Sequence, residues 1–144
     1  MELAHRNYHL KLQEMCDCYL DTDFKKKLHD MASQGSDDLE ENAIKYLALA
    51  IMYTITEKAA KLSLQKKEEK VTVKIKGEEK ITLPAPTAAQ FDKIVEIIRA
   101  ILHLEEDTGE MPLTMGLRSG DIEVQVKTKR KEGKESLKIE FPPL

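Results

Sequence analysis

The sequence has 144 residues, one domain's worth of chain near the commonest domain size. It is 41% hydrophobic and 34% charged, and its 23 basic and 26 acidic residues nearly cancel to −3, a balance that excludes wholesale disorder. Aromatic residues make up 5% with no Trp, so Ile, Leu, Val, Ala and Met must fill the core, and ring platforms for stacking bases or sugars are disfavoured.

Met1 to His9 contains no apolar stretch and no small-residue cleavage pattern, so no secretory signal is read there and the expected location is cytoplasmic. Residues 3–34 read as helical. Tyr8, Leu12, Met15 and Tyr19 recur at spacings of three and four; after Asp21-Thr22-Asp23 a second stripe of Phe24, Leu28 and Met31 starts in another phase, and Gly35 closes it. Cys16 and Cys18 point to nearly opposite sides of such a helix, which disfavours a bond between them and fits reduced thiols.

Ser36-Asp37-Asp38 opens the next helix, with Asp37 and Glu40 spaced as a capping box and carboxylates at the positive end of the helix dipole. Its apolar stripe runs from Leu39 through Ala43, Ile44, Leu47, Ala48, Ile51, Ile55, Ala59 and Leu62, while Leu49, Met52 and Tyr53 lie on the other sides. A helix that is apolar all round must be covered all round. The uncharged run from Tyr46 to Thr56 is well short of the roughly 17–25 residues of a spanning helix, so it reads as a core helix with no membrane contact. The amphipathic stretch from Glu57 to Glu69 is expected to continue this helix.

Val71 to Lys76 alternates, Gly77-Glu78-Glu79 punctuates, and Lys80 to Leu83 alternates again, which is a hairpin signature. Keeping Val71, Val73, Ile75, Ile81 and Leu83 on one face requires an odd loop or a bulge. Pro84-Ala85-Pro86 stops the strand, and Thr87 with Gln90 forms a capping box for a third helix. That helix has a core stripe of Phe91, Ile94, Val95, Ile98, Ile101 and Leu102, with Asp92, Glu96, Arg99 and His103 opposite and Gly109 beyond its end.

Residues 110–120 read as a loop. Ile122, Val124 and Val126 then alternate with polar residues, as do Leu137, Ile139 and Phe141. A two-residue turn at Glu132-Gly133 sets Thr128 opposite Leu137, Val126 opposite Ile139 and Val124 opposite Phe141. The expected fold is α+β in the order α-α-β-β-α-β-β, with an antiparallel sheet of about four strands packed by one face on helices. Residues 1–144 form one domain, with a helical half (1–69) and a ββαββ-like half (70–144) whose two ββ units suggest a degenerate repeat.

No catalytic constellation, nucleophile motif or cofactor-binding motif stands out, so a non-enzymatic role without cofactor is the leading expectation. The all-round apolar helix suggests an assembly interface at Leu49, Met52 and Tyr53, with a second copy of the chain or another protein as partner. The alternative is nucleic-acid or polyanion binding. The polar face of the strands and the 127–134 hairpin collect Lys74, Lys76, Lys80, Lys127, Lys129, Arg130, Lys131 and Lys138, a pattern that attracts phosphate backbones but also guards sheet edges. Segments 70–86 and 111–144 each total +2, against −3 for 1–69 and −4 for 87–110, so the chain is electrically polarised. A weaker anion site is the 110–120 loop with Gly116, Arg118, Ser119 and Gly120. A weaker metal site is His5, His9 and Cys16, which share one helix face.

Overall fold

A computed structural model describes residues 2–18, 26–27, 39–117 and 120–142, with the side chains of 2–7 outside that description. In chain order the elements are α1 (Glu2–Cys18), α2 (Leu39–Thr56), β1 (Lys61–Lys67), β2 (Lys70–Lys76), β3 (Lys80–Leu83), α3 (Ala88–Leu102), β4 (Thr108–Leu117), β5 (Gly120–Lys131) and β6 (Lys134–Glu140). The class is α+β, as the periodicities imply. The sheet has six strands in the order β3-β2-β1-β6-β5-β4, every pair antiparallel. Two three-stranded meanders join through β1 and β6.

Two strands replace segments read otherwise from sequence. Residues 57–69 do not continue the helix: α2 stops at Thr56, Lys58 takes a left-handed conformation with φ 53°, and Leu62 and Leu64 point inward from β1. Residues 108–117 are strand β4 rather than a loop, with Leu113, Met115 and Leu117 buried. Gly109 lies inside β4; α3 ends instead on His103, left-handed at φ 56°. The second stripe (Phe24, Leu28, Met31), Gly35 and the Asp37 end of the capping box lie outside the described residues.

Other expectations hold. Thr87 and Gln90 form the reciprocal capping box, the Thr87 Oγ1 accepting from the Gln90 N–H at 3.1 Å and the Gln90 Oε1 accepting from the Thr87 N–H at 3.0 Å. The three-residue loop 77–79 pairs Lys76 with Lys80 and keeps Ile75 opposite Ile81, which is the odd spacing that parity demanded. In the last hairpin Thr128 faces Leu137 and Val126 faces Ile139. Gln125 faces Glu140, where β6 ends, so the predicted Val124–Phe141 pair does not form part of the ladder; the Phe141 N–H donates instead to the Ala60 carbonyl.

The helices cover one face of the sheet. Leu62, Leu64, Val73, Ile75, Val124, Val126, Leu137 and Ile139 meet Phe91, Ile94, Ile97 and Ile98 of α3 and the buried side of α2. Helix α2 packs on α1, α3 and β1, which explains how a helix apolar on all sides is accommodated in one chain. Its Tyr46 hydroxyl donates to the Pro84 carbonyl at 2.5 Å, and burial pushes that phenol well above its ordinary range. Arg99, expected on the solvent face of α3, is buried instead. Its guanidinium donates to the Thr128 hydroxyl at 3.0 Å and to the Glu106 carbonyl, which satisfies the charge at the end of the helix–sheet interface.

Among the described residues no helix sits on the sheet's other face. Along β1, β2 and β6 the residues between the buried ones are half-buried or exposed and polar, so the strands present one continuous surface there.

Candidate lysine-rich sheet surface

The hydrogen-bond register fixes how that open face is tiled. Nearest the two hairpin turns, Lys70 of β2, Lys67 of β1, Lys134 of β6 and Lys131 of β5 stand directly opposite one another. Adjacent strands lie about 4.8 Å apart, so this row of four spans roughly 14 Å. The next row is Thr72, Gln65, Ser136 and Lys129; the one after it is Lys74, Ser63, Lys138 and Lys127. Farthest from these turns come Lys76, Lys61, Glu140 and Gln125, with Lys80 beside Lys76 on β3. Eleven outward lysines therefore face four outward carboxylates, Glu110, Asp121, Glu123 and Glu140, and no carboxylate stands in the two rows nearest the turns. No aromatic ring lies on this face.

Charge neutralisation is confined to one side of the surface. Lys127 is held between Glu140 at 2.6 Å and Glu110 at 3.4 Å; these bonds raise the lysine above its ordinary pKa, and Lys127 in turn lowers the Glu140 carboxyl. Among the described residues no carboxylate lies within ion-pair distance of Lys67, Lys70, Lys129, Lys131, Lys134 or Lys138. Lys129 moves the other way. Its close neighbour Lys131, with Lys134 and Lys138 farther off, depresses its pKa because each added positive charge disfavours another. Around Gln65 and Ser136 the surface dips into a cavity of about 160 Å³ walled by Lys129, Lys131, Lys134 and Lys138.

Of the lysines predicted from sequence for polyanion binding, Lys74, Lys76, Lys80, Lys127, Lys129, Lys131 and Lys138 all reach this face, although Lys127 is already paired. Arg130 does not. It has the parity of Thr128 and points to the helix side, where its Nε donates to Glu135 at 3.2 Å. Sequence reading missed Lys61, Lys67 and Lys70, and placed Lys134 only within the 127–134 hairpin. The first two were assigned to a helix; the signal that could have placed them is the strict alternation Lys61-Leu62-Ser63-Leu64-Gln65.

The remaining candidates are not brought together. Leu49 and Met52, expected at an assembly interface, are buried in the chain's own core, and Tyr53 is half-buried against it, so the apolar flank behind that expectation is covered from within. His9 lies at the β4 edge with its Nε2 3.0 Å from the Thr114 carbonyl, whereas Cys16 is buried beside the Ala48 carbonyl. The His5 side chain lies outside the described residues, and among those described no group of His, Cys, Asp and Glu could hold a metal ion. Arg118 and Ser119 also lie outside them. Gly116, expected in an anion loop, is an edge-strand residue whose N–H donates to the Gln13 Oε1 at 2.7 Å, and Gly120 begins β5 with φ 125°.

His9 and Gln13, one turn apart on α1, thus occupy consecutive outward groups of the β4 edge. Pro112 has the same outward parity and offers no N–H, which further blunts this edge against pairing with another chain. No helix among the described residues is long and apolar enough to cross a membrane. No protein-family model matches the sequence, and no curated protein matches it significantly.

Proposed function

We propose that this protein binds the phosphate backbone of double-stranded nucleic acid through the open face of its sheet, recognising charge rather than sequence. The observation that carries the reading is the unopposed row Lys70–Lys67–Lys134–Lys131 together with Lys129 and Lys138 beside it. Like charges directly opposite one another on adjacent strands destabilise a sheet. Edge protection accounts for lysines on outer strands, but this row crosses β1 and β6, the two central strands, where there is no edge to guard. A polyanion laid over the row relieves the repulsion and gains the entropy of released counterions.

The chemistry of the face selects the kind of nucleic acid. Sheets that read single strands do so with stacking rings, and this one has none. A duplex displays its phosphates outward and needs only cations and hydrogen-bond donors from a partner. The helices lie on the opposite side of the sheet, and the open face carries eleven lysines against four carboxylates, so the chain's net charge of −3 does not describe the surface a duplex would meet.

The test is fluorescence anisotropy with a short labelled duplex and shuffled versions of its sequence. The reading predicts equal affinity for all of them and its loss in the variant Lys131→Gln/Lys134→Gln/Lys138→Gln. No binding to any duplex, or unchanged affinity in that variant, contradicts it.

A further inference from the structure

The cavity around Gln65 and Ser136 differs from the rest of the lysine surface. Gln65 and Ser136 face each other across the central strand pair, Lys129 faces Ser136 from β5, Lys131 faces Lys134, and Lys138 follows Ser136 on the same face of β6. Four lysines therefore surround one polar floor. Among the described residues neither the Ser136 hydroxyl nor the Gln65 amide has a hydrogen-bond partner, so both are free to point at a ligand. The volume, about 160 Å³, leaves room for a tetrahedral anion and part of its hydration.

Charge decides which anion. An internal phosphodiester carries one negative charge and a single flanking cation suffices for it, as along the rest of the face. A terminal phosphate monoester carries between 1.5 and 2 negative charges near neutral pH, with its second ionisation at about pH 6, and presents three strong acceptor oxygens. Four cations with two uncharged donors at the floor match the second species better than the first.

We propose that this cavity is the seat for a terminal phosphate monoester of a nucleic-acid strand, so that the protein favours phosphorylated duplex ends over internal backbone. The Ser136 hydroxyl and the Gln65 amide donate to phosphate oxygens, while Lys129, Lys131, Lys134 and Lys138 neutralise the dianion. An anion seated there also removes the mutual repulsion that depresses Lys129. The inference rests on the nucleic-acid reading of the face, and uncharged substitutions separate the two: Gln65→Met and Ser136→Ala remove the floor donors without changing the number of positive charges.

The experiment compares two duplexes of identical sequence, one with 5′-phosphate and one with 5′-hydroxyl ends, each titrated with the full-length protein. A preference of about tenfold for the phosphorylated ends is expected, the equivalent of about 1.4 kcal/mol. It should shrink as pH falls below about 6, where the monoester takes up its second proton. It should also diminish in Gln65→Met/Ser136→Ala, which keeps the four lysines, while the variant's affinity for the 5′-hydroxyl duplex stays unchanged. Inorganic phosphate should compete for the preference, placing the dianion itself in the seat. Equal affinity of wild-type protein for the two duplexes, or a preference undiminished in the double variant, overturns the seat and leaves the face reading standing. Absence of binding to either duplex overturns both.

Discussion

Replacing Lys134 by Gln tests whether the lysine row is held at a cost in stability. Lys134 sits between Lys67 on one side and Lys131 on the other, so one substitution removes two like-charged facing pairs. Such pairs are destabilising by roughly 0.2–1 kcal/mol, and for exposed side chains the lower half of that range applies, so relief of two gives about 0.4–1 kcal/mol. In a chain of 144 residues this corresponds to a rise in Tm of about 1–4 °C. Screening fixes the condition under which the gain is visible. At about 10 mM salt the Debye length is about 30 Å and every charge in the row is felt; at about 1 M it is about 3 Å and the pairs are silent. Thermal unfolding followed by circular dichroism at the two salt concentrations should therefore show Lys134→Gln more stable than wild type at low salt and equal to it at high salt. A substitution that lowers Tm at low salt, or a gain that persists at high salt, refutes the claim that charge repulsion is what the row costs.

Two further outcomes concern the scaffold. The left-handed residues Lys58, Glu68 and His103 each have a Cβ in a conformation that disfavours L-residues by roughly 1–2 kcal/mol, partly offset by the entropy that glycine loses on folding. Glycine at any one of them should raise stability by about 0.5–1 kcal/mol in urea denaturation, and a loss would show that the side chain makes contacts outweighing the strain. Burial pushes the Cys16 thiol from 9.0 to about 12. The folded thiol keeps its proton where the unfolded one has lost it, so its contribution is fully present below about pH 9 and declines as pH rises toward 12. The loss is roughly 1.4 kcal/mol at pH 10. Cys16→Ala should reduce the fall of stability with pH between about 9 and 10; Tyr8, raised to about 12 chiefly by its hydrogen bond with Glu40, and the buried Tyr46 add their own loss as pH passes about 10, where an exposed phenol ionises. A slope unchanged by the substitution would mean that another group controls that range.

Several boundaries could be read from sequence because glycine marks them. The Glu132-Gly133 turn, with φ 74° at Gly133, and the loop containing Gly77 were both legible, and the strands around them paired in the expected register. The end of α2, the β1–β2 turn and the end of α3 instead place Lys58, Glu68 and His103 at left-handed positions, where ordinary helix-forming or charged residues give no punctuation signal. Leu62 therefore continued a helical stripe by spacing while serving a strand in fact. Strand β4 was hidden differently: Gly109, Pro112 and Gly116 are poor strand formers, and the inward alternation of Leu113, Met115 and Leu117 was masked by them.

The candidate surface followed the same rule. Lysines on β2, β3 and β5 were placed on the polar face because their strands were recognised. The missing strand β1 carries Lys61, Lys67, Ser63 and Gln65, and without it the two hairpins could not be joined into a row of four lysines or given a floor between Lys129 and Thr72. Arg130 was attributed to the same patch as part of a basic hairpin tip; strand parity turns it to the helix side, beside Glu135. Burial of Arg99 was invisible because its two acceptors, Thr128 and the Glu106 carbonyl, come from segments brought in by the third dimension.

The salt dependence of duplex binding tests the central claim most directly. Among the described residues no carboxylate lies within ion-pair distance of Lys67, Lys70, Lys129, Lys131, Lys134 or Lys138, six lysines in the three rows nearest the turns. If each neutralises one phosphate, log Kd should rise against log salt with a slope of about 5, close to a thousandfold loss of affinity between about 50 and 200 mM. The Lys131→Gln/Lys134→Gln/Lys138→Gln variant should lower that slope by about 3. Affinity indifferent to salt, or a slope unchanged in the triple variant, would contradict binding through this face.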